Sequence, residues 1–323
     1  MYEDQANTTE NGSAAGHVPV MLKQSLELLD PQPGGRYIDA TFGGGGHSRA
    51  ILEASNPDGT LLALDADPAA IKRAEPLQHV YGDRLTVRHG NFGELRTVAD
   101  GAGFVPADGV LMDLGLSSFQ FDDPERGFSF ESDARLDMRL DTTSTGATAW
   151  DIVNTWDESE IIEILFSYGE ESRARRIVRE LIRERGERPI ETARDLAALV
   201  ERAVGGRRGA RIHPATKTFQ AVRIAVNREL DVLRAALESA VAVLRAGGRI
   251  IVISFHSLED RIVKQFFQRE ARDCVCPPDI PVCRCDHKAQ VRILTRRPVT
   301  PDEGEVERNP RSRSAKLRAA ERL

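Results

Sequence analysis

The sequence predicts an α/β fold, an open, doubly wound parallel sheet with a helical insertion between its fourth and fifth strands. Three observations carry this. Short apolar runs recur with helical stretches between them, the signature of parallel strands joined by crossover helices. One run, Tyr37 to Ala40, breaks at Thr41-Phe42 into Gly43-Gly44-Gly45-Gly46 and then opens a helix from His47 to Ala54. A second, Leu61 to Leu64, ends on Asp65, eighteen residues after His47. A glycine-rich first turn followed by an acid at the tip of the second strand is how such a sheet holds the ribose of a nucleoside.

The strands are expected at Arg36–Ala40, Leu61–Leu64, Leu85–Arg88, Val110–Leu114 and Arg249–Ser254. Glycine in the first turn permits positive φ and an approach that a Cβ would block. The third glycine of a dinucleotide turn, G-x-G-x-x-G, is missing, because Ser48 or Arg49 stands there in either register. S-adenosylmethionine has no pyrophosphate and does not need that glycine, so it fits better than a nicotinamide nucleotide. Between Thr218 and Leu244 one crossover helix is expected, with Val222, Val226, Leu230, Leu233, Leu237, Val241 and Leu244 on one face and Gly247-Gly248 ending it. Residues 119–215 then have no place in the sheet, and their helical periodicity makes them the insertion, placed for substrate recognition beside the carboxyl ends of the strands. Residues 1–16 are polar and glycine-rich and read as a disordered tail; 17–118 with 216–323 form the domain around the sheet. Val291–Leu294 and Ala315–Leu317 are expected to pair at its edge.

At 323 residues, 41% hydrophobic and 29% charged, the chain is an ordinary globular one, and no apolar run approaches the roughly 20 residues of a membrane span. With no secretory signal in view, a cytoplasmic location is expected. The net charge of −6 is unevenly spread. Arg173–Arg188 holds seven arginines against three glutamates, Arg202–Lys217 five basic residues and no acid, and Asp108–Asp141 nine acids against three arginines. A basic face that meets phosphate and an ordinary solvated helix face both produce such blocks, and charge alone does not choose between them.

Candidate chemistry sits at strand ends. Asp113, at the tip of the fourth strand, offers the acceptor that an exocyclic amine needs, and a turn-capping role suits it equally. His256 follows the fifth strand, but Ser257 is not in a G-x-S-x-G elbow, which argues against a hydrolase; substrate positioning and a structural role both stand. Cys274, Cys276, Cys283 and Cys285 are all the cysteines, and two C-x-C pairs suit either a Cys₄ zinc site or four free thiols, so no metal is assigned. Trp150 and Trp156 are candidates to stack on an extruded base or to fill the core of the insertion.

Several long motifs occur together: His17-Val18-Pro19-Val20, the turn Thr41 to Ser48, Asp113 to Ser118, Glu125 to Phe130, Leu136 to Arg139, His213 to Ile224 and Ser254 to Lys264. With them the chain, from about His17 onward, resembles the bacterial 16S ribosomal RNA (cytosine-N4)-methyltransferase family, RsmH or MraW. The resemblance implies a Rossmann-like class I methyltransferase that moves a methyl group from S-adenosylmethionine to N4 of a cytidine in the decoding, P-site region of 16S rRNA on the small ribosomal subunit. It implies cofactor contacts at Gly45, Gly46, His47, Asp65, Phe92, Asp113 and Gln120, with Asp113 also the catalytic candidate. Phe119 stands where many relatives have proline, and the cysteine pairs occur in only some of them.

Overall fold

The computed structural model describes residues 19–207, 209, 212–277 and 282–323; the expected tail, residues 1–16, lies outside them. Seven strands form one sheet: β1 (Arg36–Asp39), β2 (Thr60–Asp65), β3 (Leu85–His89), β4 (Ala107–Asp113), β5 (Leu244–Ser254), β6 (Val291–Ile293) and β7 (Lys316–Arg322). Their order is β3-β2-β1-β4-β5-β7-β6. The first five run parallel, while β7 is antiparallel to both β5 and β6. The expected edge pair is therefore present, with the later strand on the inside.

Side chains alternate faces along each strand, so one strand feeds two cores. Leu61 and Ala63 meet α1 (Leu22–Leu29), α2 (Gly46–Ala54), α3 (Pro68–Arg73) and α4 (Glu75–Tyr81). Leu62 and Leu64 face α5 (Leu95–Gly101) and helices later in the chain. Each fully buried leucine or isoleucine contributes about 1.5–3 kcal/mol, which is why these strands read as continuous apolar runs. The sheet is doubly wound as expected.

After β4 come a short α6 (Ser118–Asp122) and then the helices of the insertion: α7 (Ala149–Thr155), α8 (Glu158–Ser167), α9 (Ala174–Glu187) and α10 (Ala193–Val204). They enclose a third core with Ile152, Ile161, Leu165, Ile177 and Leu196 at its centre. Trp150 and Trp156 pack against this core.

The single helix expected over 218–244 is two: α11 (Thr216–Asn227) and α12 (Glu229–Val243). Arg228 between them is left-handed, φ 50° and ψ 35°. That conformation costs about 1–3 kcal/mol for a residue other than glycine. Across the corner the Arg223 guanidinium donates twice to the Glu229 carboxylate, at 2.7 and 2.8 Å. The apolar periodicity runs through the break because the two helices pack differently: Phe219 and Val222 join the core of the insertion, whereas Leu233 and Leu237 join the sheet. Nor do Gly247 and Gly248 end the helix. It stops at Val243, and both lie within β5, where the ladder to β4 shifts register. Helices α13 (Ser257–Glu270) and α14 (Glu303–Arg308) complete the fold.

Candidate active site

In this strand order β1 and β4 are neighbours, and the chain leaves them in opposite directions; ligands of open α/β sheets bind in the crevice at such a point. A cleft opens there.

Its floor is the glycine turn. Gly43 has φ +54° and donates its N–H to the Asp65 carboxylate at 2.7 Å. Asp39, fully buried at the end of β1, holds the turn from below by accepting from the Thr41 N–H at 3.1 Å and the Ser48 hydroxyl at 2.6 Å. A Cβ on Gly46 would lie 2.8 Å from Pro19 Cγ, so only glycine fits. Gly46, His47, Asp65, Phe92, Asp113 and Gln120 all line the cleft. Gly45 does not: it caps α2 at φ +75°, over the Phe42 ring.

Asp65 also accepts from the Asp67 N–H at 2.8 Å, yet burial pushes its carboxyl up to about 6. Opposite, His47 Nε2 lies 3.5 Å from Asp113 Oδ2. This is too long for a good hydrogen bond. Among the described residues, both ring nitrogens of His47 and Oδ1 of Asp113 are buried without a hydrogen-bond partner. Burial pushes His47 down, but the Asp113 and Asp39 carboxylates more than offset it and the histidine is raised. Asp113 itself is fixed by its N–H, which donates to the Thr41 hydroxyl at 2.7 Å. Buried polar atoms left open in a cleft are expected to be completed by a polar ligand.

These features fit S-adenosylmethionine: a carboxylate for ribose hydroxyls, a cradle that a Cβ would fill, and unpaired polar atoms at the strand tips. Comparison with known proteins agrees. The family model described as the MraW methylase family matches residues 14–323. The chain belongs to that family.

As an MraW methylase it is a methyltransferase, and S-adenosylmethionine is its methyl donor. It is 59% identical over 321 residues to the ribosomal RNA small subunit methyltransferase H of Thermomicrobium roseum, covering 99% of this chain and 96% of that one. The protein of the same name from Dehalococcoides mccartyi is 52% identical over 95% of this chain and 86% of its own length.

Within this methylase, several lining residues carried no signal in the sequence. Leu140, Glu229, Asn309 and Arg311 reach the cleft from distant segments. Arg311 bonds Asp122 at 2.6 Å and lies 5.0 Å from the Phe121 ring, which ties the segment after α14 to α6. The most consequential omission is Asp67, 1% exposed. It caps α3 through the Ala69 N–H and accepts from Gln120 Nε2 and Arg126 Nη1, each at 3.2 Å. Arg126 in turn donates to the carbonyls of Arg139 and Leu140. Its only sequence cue was the Asp-Pro step that opens a helix.

His256 is the cap of α13, and the Glu259 N–H approaches its Nδ1 at 3.5 Å. It stands behind Glu259, which lines the cleft as His256 does not. Burial pushes Glu259 up, yet His256, Arg223 and the Phe255 N–H outweigh it and hold the carboxyl below the ordinary range. Trp150 donates to Glu191 at 3.0 Å and carries Arg135 over its ring. Neither tryptophan lines the cleft. No described helix is long and apolar enough to cross a membrane.

Proposed function

We propose that this protein methylates N4 of a cytidine in the decoding region of 16S ribosomal RNA, acting on the small subunit in the cytoplasm. The observation that carries the reading is Asp113, held by Thr41 at the tip of β4 with an oxygen in the cofactor cleft that no described residue pairs.

An exocyclic amine conjugated with its ring is a weak nucleophile. A carboxylate that accepts its N–H localises the lone pair toward the incoming methyl group, and alignment supplies most of the rest. S-adenosylmethionine supplies the electrophilic methyl. Asp65 would take the ribose hydroxyls, Phe92 would flank the adenine, and Gly46 and Gln120 would bound the remainder of the cofactor. His47 would keep the Asp113 carboxylate turned inward. Transfer is in line, with no covalent enzyme intermediate. Attack at a ring carbon would require a nucleophile such as cysteine, and no cysteine lines the cleft.

The insertion is proposed to receive the RNA. Arg175, Arg176 and Arg179 on α9 are exposed and, among the described residues, carry no ion pair. They share a groove with Phe166, an aromatic residue that is 66% exposed. Basic side chains beside an exposed ring suit phosphate and an unstacked base. The names of the relatives, ribosomal RNA small subunit methyltransferase H, support the same substrate.

Purified protein is to be incubated with radiolabelled S-adenosylmethionine and small subunits from a strain lacking the gene, and the digested RNA resolved into nucleosides. Label in N4-methylcytidine is expected. Label in another nucleoside, or only in DNA or protein, would overturn the substrate while leaving the cofactor in place.

A further inference from the structure

None of the described residues of the loop between α13 and β6 lines the cleft. The loop's residues 271–277 and 282–290 form no helix or strand and are largely exposed, Val282 at 67%. Its base is pinned where the Gln290 N–H donates to the Glu270 carbonyl at 2.7 Å and the Ala289 N–H to Asp273 at 3.2 Å. Among its described residues only Ala271 packs against an apolar core. A loop that buries so little has no hydrophobic term to offset the entropy of ordering it.

Four sulfurs nevertheless converge there. The Sγ atoms of Cys274, Cys276, Cys283 and Cys285 lie within 4.8 Å of one another. Cys283 and Cys285 are 3.5 Å apart and Cys285 and Cys274 3.8 Å. Four thiolates placed tetrahedrally at the zinc–sulfur bond length of about 2.3 Å would be about 3.8 Å from each other. Two backbone amides point at the sulfurs as well: Val275 N–H at Cys285 and Arg284 N–H at Cys276, both at 3.4 Å. Such donors offset thiolate charge around a bound metal. Neutral thiols are weak hydrogen-bond partners and would give little in return for being gathered at an exposed loop.

We propose that Cys274, Cys276, Cys283 and Cys285 bind one structural zinc ion. All four positions are filled by protein, so the ion has no open site for substrate, and none of the four residues lines the cleft. It closes the loop at its far end as Glu270 and Gln290 close it at the base. The ion thereby joins α13 to the outer edge of the sheet.

The test is the metal content of the full chain, purified with reductant from zinc-supplemented medium and dialysed into metal-free buffer. About one zinc per chain is expected, released as the thiols are titrated with a mercurial. The C276S/C283S double variant should fall to about a tenth of that while S-adenosylmethionine affinity stays within about twofold. Should that variant fail to fold, the native chain still decides. After removal of its metal under reducing conditions it should bind cobalt(II) with the intense visible bands of a tetrahedral thiolate site. Native protein that carries neither zinc nor these bands overturns the proposal, and iron in equal stoichiometry overturns the choice of metal.

Discussion

The sheet and the helical insertion are both built on leucine, isoleucine and valine, yet they place their charges in opposite ways. Around the sheet the charged groups turn inward at one end: Asp39, His47, Asp65, Asp67 and Asp113 are wholly or largely buried about a single cleft. In the insertion most turn outward, Arg126 and Glu171 excepted, with Arg175, Arg176 and Arg179 exposed on α9. Buried charge has strong, directed effects on a small ligand, whereas exposed charge is screened and suits a large polyanion. On the proposed function, one layer serves chemistry and the other grip. Ion pairs join them, among them Asp67 with Arg126, Arg261 with Glu170 and Arg311 with Asp122.

That contrast can be broken by substitution, beginning where the effect is greatest. Asp113→Ala should lower turnover by about 100-fold or more while calorimetry shows cofactor affinity nearly unchanged. A loss of only a few-fold would remove Asp113 from the reaction. Arg126→Ala takes one partner from a pair whose side chains are 9% and 2% exposed. It should cost about 3 kcal/mol, read from the urea midpoint, and loosen the joint between the layers. An unchanged midpoint would mean that the layers are held together elsewhere.

Asp65 sharpens the contrast through pH. Burial raises it to about 6, so the folded chain holds this proton more tightly than the unfolded chain, whose aspartates titrate near 3.9. The stability it contributes is full below about pH 4 and is lost as pH rises through about 6. On the proposed reading, in which the ionised form accepts the ribose hydroxyls, cofactor affinity should run the other way and weaken about tenfold from pH 7 to pH 5. Asp65→Asn should flatten both profiles in calorimetric titrations; a pH dependence that survives it would assign the effect to another group. The smallest effect is expected in the insertion. Replacing Arg175, Arg176 and Arg179 together by alanine should raise KM for small subunits about tenfold at low salt, flatten the salt dependence and leave kcat unaltered. A fall in kcat instead would mean that these arginines do more than grip.

The two layers were also unequally legible. The glycine turn, Asp65 and Asp113 stood out because local backbone geometry and strand position demand those residue types at those places. Asp67 did not, since its partners Gln120 and Arg126 are brought to it by topology, 53 and 59 positions away. Arg228 stayed hidden for a different reason: apolar spacing continues through it, and only a third core shows that the two halves face different neighbours. Glu229, Asn309 and Arg311 reach the cleft by crossovers that no local pattern announces. The cysteine pairs announced themselves, but their spacing could not say whether the sulfurs meet.

The position of β7 bears on how the chain is made. Ser254 in β5 pairs with Lys316, 62 positions further on. During synthesis β5 therefore stands for a time as a raw sheet edge with Ile250 to Ile253 ready to pair with anything extended. Parallel strands already in register beside it make that edge long and flat, the kind that nucleates association between unfinished chains. A product truncated before residue 316 would keep the glycine turn, Asp65 and Asp113, and is expected to be lost to aggregation while every one of those residues is present. The integrity of this sheet edge thus depends on β7 rather than on the groups of the cleft.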